Sequence, residues 1–167
     1  ADEGFHPVTE PTAQRIEAKY LVSEVCARAV AAYIQPFVMP DPYLRGRTEY
    51  PVGNLYLDSP DLFLCRSSLC GEKNRFKLRI RTYGNDALAF FEIKRRLSDV
   101  IKKERAKISG ESIERLLCAP LIPSEDVANM KADDVHVVHQ FRALCERLEA
   151  FPKVCISYAR EAYIGAL

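Results

Sequence analysis

The stretch RFKLRIRTY, residues 75–83, alternates strictly: Arg75, Lys77, Arg79 and Arg81 fall at every second position, with Phe76, Leu78 and Ile80 between them. Successive side chains of a strand point to opposite faces, so the pattern predicts a strand over 74–83 with one cationic and one apolar face. Two more strands are predicted at 88–97 and 100–108. Gly84-Asn85 suits a tight hairpin turn for the first connection, and Ser98-Asp99 makes the second. Upstream, RIEAKYLV (15–22) sets Ile16, Ala18 and Tyr20 against Arg15, Glu17 and Lys19 and reads as a first strand. VGNLYLDS (52–59) reads as another, and PKVCISYAREAYIG (152–165) as the last.

Helical signals separate these runs. Ser23 is an N-cap for EVCARAVAAYIQPF (24–37), which Pro36 should stop. Ser59-Pro60-Asp61 opens a helix that ends at Gly71. ESIERLLCA (111–119) and a long segment over 124–150 follow, while MPDPYLRGR (39–47) reads as loop. Hairpins with helices inserted between strands predict an α+β domain on an antiparallel sheet.

Charge sharpens this picture. The formal net charge is only +1, yet the segment from Lys73 to Lys107 carries twelve Lys or Arg against four Asp or Glu. Glu92, Lys94 and Arg96 share one strand face. Ile101, Lys103, Arg105 and Lys107 share another, as do Tyr158, Arg160 and Ala162. Joined by hairpins, these faces predict one basic surface four or five strands wide. A solvated sheet face normally mixes signs. Opposed cations on neighbouring strands cost a few tenths of a kcal/mol per pair, so a polyanion is the expected compensation.

Nucleic acid is one such polyanion, but its single strands are held by aromatics on the cationic face. Phe76, Phe90 and Tyr20 read as out of phase with the cations and as outer core, and Trp is absent. A compact phosphate-rich ligand is therefore preferred, with nucleic-acid binding and a plain solvated face as the alternatives.

Other chemistry is thin. The six cysteines form no C-x-x-C pair and read as reduced, partly buried thiols of a cytoplasmic protein. His136 and His139 lie one turn apart without a third ligand and read as surface helix residues. No apolar run approaches the roughly 20 residues of a membrane span. Residues 1–13 lack the features of a signal peptide and read as a disordered leader or the edge of an expressed piece.

The ordered set RIEAKY, NLYLDSPDL, KLRIRTY, FFEIKRR, IKKERAKI and PKVCISYAREAYIG resembles the VTC domain. That is the polyphosphate polymerase domain of the triphosphate tunnel metalloenzyme (CYTH-like) superfamily. The likeness spans about 15–167, and 14–167 would be the tunnel domain. It implies an antiparallel β-barrel with helices packed outside, its tunnel lined by Lys and Arg around a triphosphate, with Mn or Mg held by glutamate. It also implies transfer of the γ-phosphate of a nucleoside triphosphate to polyphosphate. Tripolyphosphate hydrolysis or non-catalytic polyphosphate binding are the alternatives.

Motif by motif, the likeness makes Arg79, Arg81, Lys94 and Arg160 catalytic. It places Lys19, Lys77, Arg96, Lys103 and Arg105 on the phosphates, and leaves Glu17 and Glu92 as the acids available to a metal. Each of the two acids also reads as a partner for neighbouring cations. Two departures stand out. Arg15 occupies the place of a common first acid, and the family's R-x-T/S-x-D hairpin and glutamate strand do not follow Tyr163. The barrel is thus expected to be incomplete, as a fragment of a longer protein (the favoured reading) or as a degenerate or self-associating version.

Overall fold

The computed structural model describes residues 18–44, 46–84, 87–119, 121–128 and 130–165. Glu17 and the leader expected over 1–13 lie outside them. The chain divides into two compact units, Ala1–Met39 with Ile164–Leu167, and Pro40–Tyr163.

In the first unit, helix α1 (Glu24–Ile34) starts where Ser23 caps it, with Ser23 Oγ accepting from Cys26 N at 3.3 Å. Pro36 sits in the short 3-10 turn Gln35–Phe37 that ends the helix. Strand β1 (Val38–Pro40) pairs with β7 (Tyr163–Gly165). The strand expected over 15–22 is not formed in its described part, since residues 18–23 are neither helix nor strand. Alternation supplies two faces, but a strand persists only where a ladder satisfies its backbone groups. No ladder among the described residues reaches this segment.

The second unit is built on a five-stranded antiparallel sheet in the order β5-β4-β3-β2-β6. Its strands are β2 (Tyr50–Asp58), β3 (Asn74–Tyr83), β4 (Leu88–Leu97), β5 (Val100–Ser109) and β6 (Phe151–Arg160). The three central hairpin strands lie where the alternation predicts, with β5 one residue longer. The fold is thus α+β on an antiparallel sheet. The implied barrel is not closed among the described residues, because β5 and β6 each have one neighbour and form the sheet's edges.

One sheet face carries the main core. Leu57, Leu78, Ile80, Ala89, Phe91, Ile93, Ala106 and Ile108 pack there against helices α2 (Phe63–Leu69), α3 (Ile113–Cys118) and α5 (Ala132–Leu148). The Phe91 and Phe141 rings stack with centroids 4.5 Å apart. This burial is what fixes register. Slipping any strand by one residue would drive the cations of the other face into the core.

Helix α2 starts three residues later than its Ser-Pro-Asp signal predicts. Asp58 at the end of β2 accepts from Leu64 N and Cys65 N, both at 2.8 Å, and Ser59 Oγ accepts from Phe63 N at 2.9 Å. The first free N–H groups of the helix are thus held from outside it. Leu62, with φ 59°, lies in the left-handed region and cannot extend the helix backwards. The expected 124–150 helix is split into α4 (Ser124–Val127) and α5, with Lys131 extended at ψ 149° before Ala132. The last expected strand is broken at 161–162, between β6 and β7, where Ala162 turns into a small second cluster with Leu44, Tyr50 and Val52.

Between α3 and α4, Arg115 donates to both carboxylate oxygens of Asp126, at 2.6 and 3.0 Å, and Ser112 Oγ donates to it at 2.6 Å. These bonds, Arg115's first, hold the Asp126 pKa down to about 2. A depressed carboxylate contributes stability above its unfolded pKa of about 3.9 and loses it as pH falls through the folded value. Asp126→Asn should therefore lower Tm at pH 5, with the difference from the parent vanishing as pH approaches 2. Thermal melts across that range check this.

Candidate functional site

The register brings the cations onto one sheet face in cross-strand rows. The outermost row is Arg75–Arg96–Ile101, and the next is Lys77–Lys94–Lys103. The third is Tyr56–Arg79–Glu92–Arg105, and the fourth is Asn54–Arg81–Phe90–Lys107. These four rows hold nine cations and one acid. On the opposite face, by contrast, Arg95 and Lys102 share Glu104 at 2.8 and 2.9 Å, the ordinary mixing of signs.

Glu92 is the hub. Its side chain is 0% exposed. Oε2 accepts from Arg79 Nε at 2.6 Å and lies 2.5 Å from Arg79 Nη2 and 4.0 Å from Arg81 Nε. Oε1 lies 2.9 Å from Lys103 Nζ and 3.0 Å from Arg105 Nε, poorly aligned for hydrogen bonds and so held chiefly by charge. Burial alone would raise the Glu92 pKa, but Lys103 and Arg79 outweigh it and hold the carboxyl below its ordinary range.

The arginines are fixed further by neutral partners that sequence reading missed. Arg81 Nε donates to Asn54 Oδ1 at 2.8 Å, and Arg79 Nη1 to the Tyr56 hydroxyl at 3.3 Å. Arg105 Nη2 donates to the Tyr83 hydroxyl at 2.6 Å and Arg81 Nη1 to the same oxygen at 3.4 Å. Burial pushes the Tyr83 pKa up, but the Arg81 hydrogen bond and the Arg105 charge bring it below the usual tyrosine value. The signal for Asn54 and Tyr56 was their phase in VGNLYLDS, where they alternate with Leu55 and Leu57.

Phe90 requires a correction. It pairs with Arg81 on one side and Lys107 on the other, so it lies on the cationic face and not in the outer core. The guanidinium of Arg105 lies over its ring, 3.9 Å from the centroid. Tyr20 is likewise not core, being 83% exposed in the first unit. Phe76 does pack on the main core as expected. Aromatics are therefore present on the cationic face, but Phe90 and Tyr83 are engaged by the face's own arginines.

The remaining expected residues divide. Lys77 and Lys94 have no ion pair or hydrogen bond among the described residues, and Lys103 completes their row beside Glu92. Arg96 lies one row further out, between Arg75 and Ile101. Arg160 is exposed and pairs with Tyr50, six residues along β2 from the Tyr56 that pairs with Arg79. That separation is about 20 Å of strand, so Arg160 stands apart from the Glu92 cluster. Lys19 belongs to the first unit.

A divalent cation does not fit Glu92. Both of its oxygens are taken up by guanidinium and ammonium groups, and a metal ion there would face four cations within 4.0 Å of the carboxylate. Among the described residues no three His, Cys, Asp or Glu side chains cluster as a metal ligand set. All six cysteines are free. Only Cys145 is partly buried, where burial pushes its thiol up to about 12, and the other five are exposed, contrary to the expectation of partial burial.

The register and the core together define an open antiparallel sheet domain, apolar on one face and cationic on the other. The VTC domain family model matches residues 14–166, nearly the whole chain, and the protein belongs to that polyphosphate-related family. No curated protein matches it. No helix among the described residues is long and apolar enough to cross a membrane.

Proposed function

We propose that the cationic face binds a linear phosphate chain, as tripolyphosphate, a nucleoside triphosphate or polyphosphate, and passes the γ-phosphate of the nucleotide to a polyphosphate end. The observation that carries this is the row Lys77–Lys94–Lys103, three ammonium groups in register across three strands, next to arginines already locked by Glu92. Phosphoryl transfer asks the protein for alignment and charge neutralisation more than for covalent chemistry. Arg79 and Arg81 supply planar donors whose orientation is fixed before the ligand arrives, and the lysines supply mobile point charges along it. The face would thus be the wall of the tunnel that the family likeness implies. Six free thiols support a cytoplasmic setting.

A second reading is a polyphosphate-binding module without catalysis, or with tripolyphosphate hydrolysis only. Its non-catalytic form is favoured by the saturation of Glu92, which leaves Mn or Mg without a ligand set among the described residues. Incubation with ATP and Mn, followed by gel staining for polyphosphate, separates the readings. Long chains support the polymerase. In a parallel incubation with tripolyphosphate and Mn, phosphate release without chains indicates a hydrolase, and neither product in either incubation indicates a binding module.

A further inference from the structure

We infer a second phosphate subsite at the outer end of the cationic face, which takes the units of a linear phosphate chain beyond the first three. It is a cavity of about 340 Å³ lined by Gly71, Lys73, Arg75, Arg96, Ser98 and Asp99. The inference rests on the phosphate-chain reading of the face.

Continuity is the first ground. Arg75 and Arg96 pair across β3 and β4 one row out from Lys77 and Lys94, about 7 Å along the strands. A chain laid along the lysine row and extended in this direction meets the cavity next. In the other direction the face runs into the cluster of Leu44, Tyr50, Val52 and Ala162, with Tyr83 packed against it. Arg160, opposite Tyr50, brings a guanidinium to that end beside apolar side chains, whereas the cavity gathers three cations.

Charge is the second ground. The lining has three cations and one acid, and Asp99 is a weak competitor, its side chain fully in solvent and 3.6 Å from Arg96. Lys73 has no ion pair among the described residues. Arg75 donates Nη1 to the Glu72 carbonyl, and Arg96 donates Nε to the Ser98 carbonyl at 2.8 Å. Each guanidinium is thereby steadied through one nitrogen and keeps other N–H groups for a ligand.

The walls are built as well. Ser98 N donates to the Lys73 carbonyl at 3.0 Å and to Asn74 Oδ1 at 3.1 Å, tying the β4–β5 turn to the start of β3. Gly71, at φ +69°, brings no side chain to the cavity and has open space where one would begin.

The test titrates the full chain and its Lys73→Ala/Arg75→Ala double variant with tripolyphosphate and with a long-chain linear polyphosphate at one ionic strength. Thermal melts verify that the variant folds. Long-chain affinity should fall about tenfold, the upper range for two exposed charge contacts, while tripolyphosphate affinity stays within about twofold. Equal losses for both anions, or no loss for either, would overturn the subsite while leaving the face intact. Failure of the parent chain to bind either anion would overturn the phosphate-chain reading itself, and the subsite with it.

Discussion

Glu92→Ala is expected to destabilise the protein by about 3–5 kcal/mol, the usual consequence of removing one partner from a buried charge cluster. Arg79 and Arg81 have side chains only 16% and 11% exposed, and without the carboxylate their charges would face one another in a region nearly closed to water. Denaturant unfolding should show the loss. Glu92→Gln keeps the volume and removes only the charge, so it isolates the electrostatic part. Because the folded carboxyl lies below its ordinary range, its contribution is present above an unfolded pKa of about 4.3 and fades as pH falls through the folded value. The parent and the glutamine variant should therefore converge in stability at acid pH. The same variant tests Glu92 as a metal ligand. A counter-ion that competes with the ligand predicts that tripolyphosphate binding by folded Glu92→Gln strengthens. A metal-holding role predicts that any Mn-dependent binding is lost.

The second large effect is opposite in character. Lys77→Ala/Lys94→Ala is expected to weaken tripolyphosphate binding about a hundredfold, roughly tenfold for each charge-assisted contact removed. Stability should hold or rise, because the two lysines face each other across β3 and β4 and Lys94 also faces Lys103. Repulsion that is relieved by ligand is a cost the unliganded sheet bears, so loss of function with no loss of Tm marks residues kept for binding. A drop in stability alongside weaker binding would show that the lysines serve the fold instead. Calorimetry and thermal melts on one preparation read both quantities.

The hairpins β3–β4 and β4–β5 were legible from the chain because every determinant is local: alternation, length and turn residues together specify strand and register. That is why Lys77, Lys94, Lys103 and Arg105 share a face as expected. Phe90 was misplaced although its parity with Glu92 was available, since the adjacent Phe91 invites both rings into the core and only the phase separates them. Non-local pairing was harder. The phase of Arg160 was right, but its row depends on how β6 pairs with β2, which nothing within PKVCISYAREAYIG states. Lys19 shows the converse, an alternating segment without a ladder among the described residues. Glu92 was visible as an acid among cations. Its two possible roles, ligand or counter-ion, separate only once four cations are seen to converge on it.

A calorimetric titration of the full chain at physiological ionic strength, with tripolyphosphate in one arm and a short single-stranded oligonucleotide in the other, bears most directly on the cationic face as a phosphate-chain site. Tripolyphosphate should bind in the micromolar range, at least about tenfold tighter than the oligonucleotide, and Arg79→Ala or Arg81→Ala should abolish that binding in a folded protein. Tight oligonucleotide binding with no heat from tripolyphosphate would contradict the account, and the half-buried rings of Phe90 and Tyr83 would then have to be read as seats for bases.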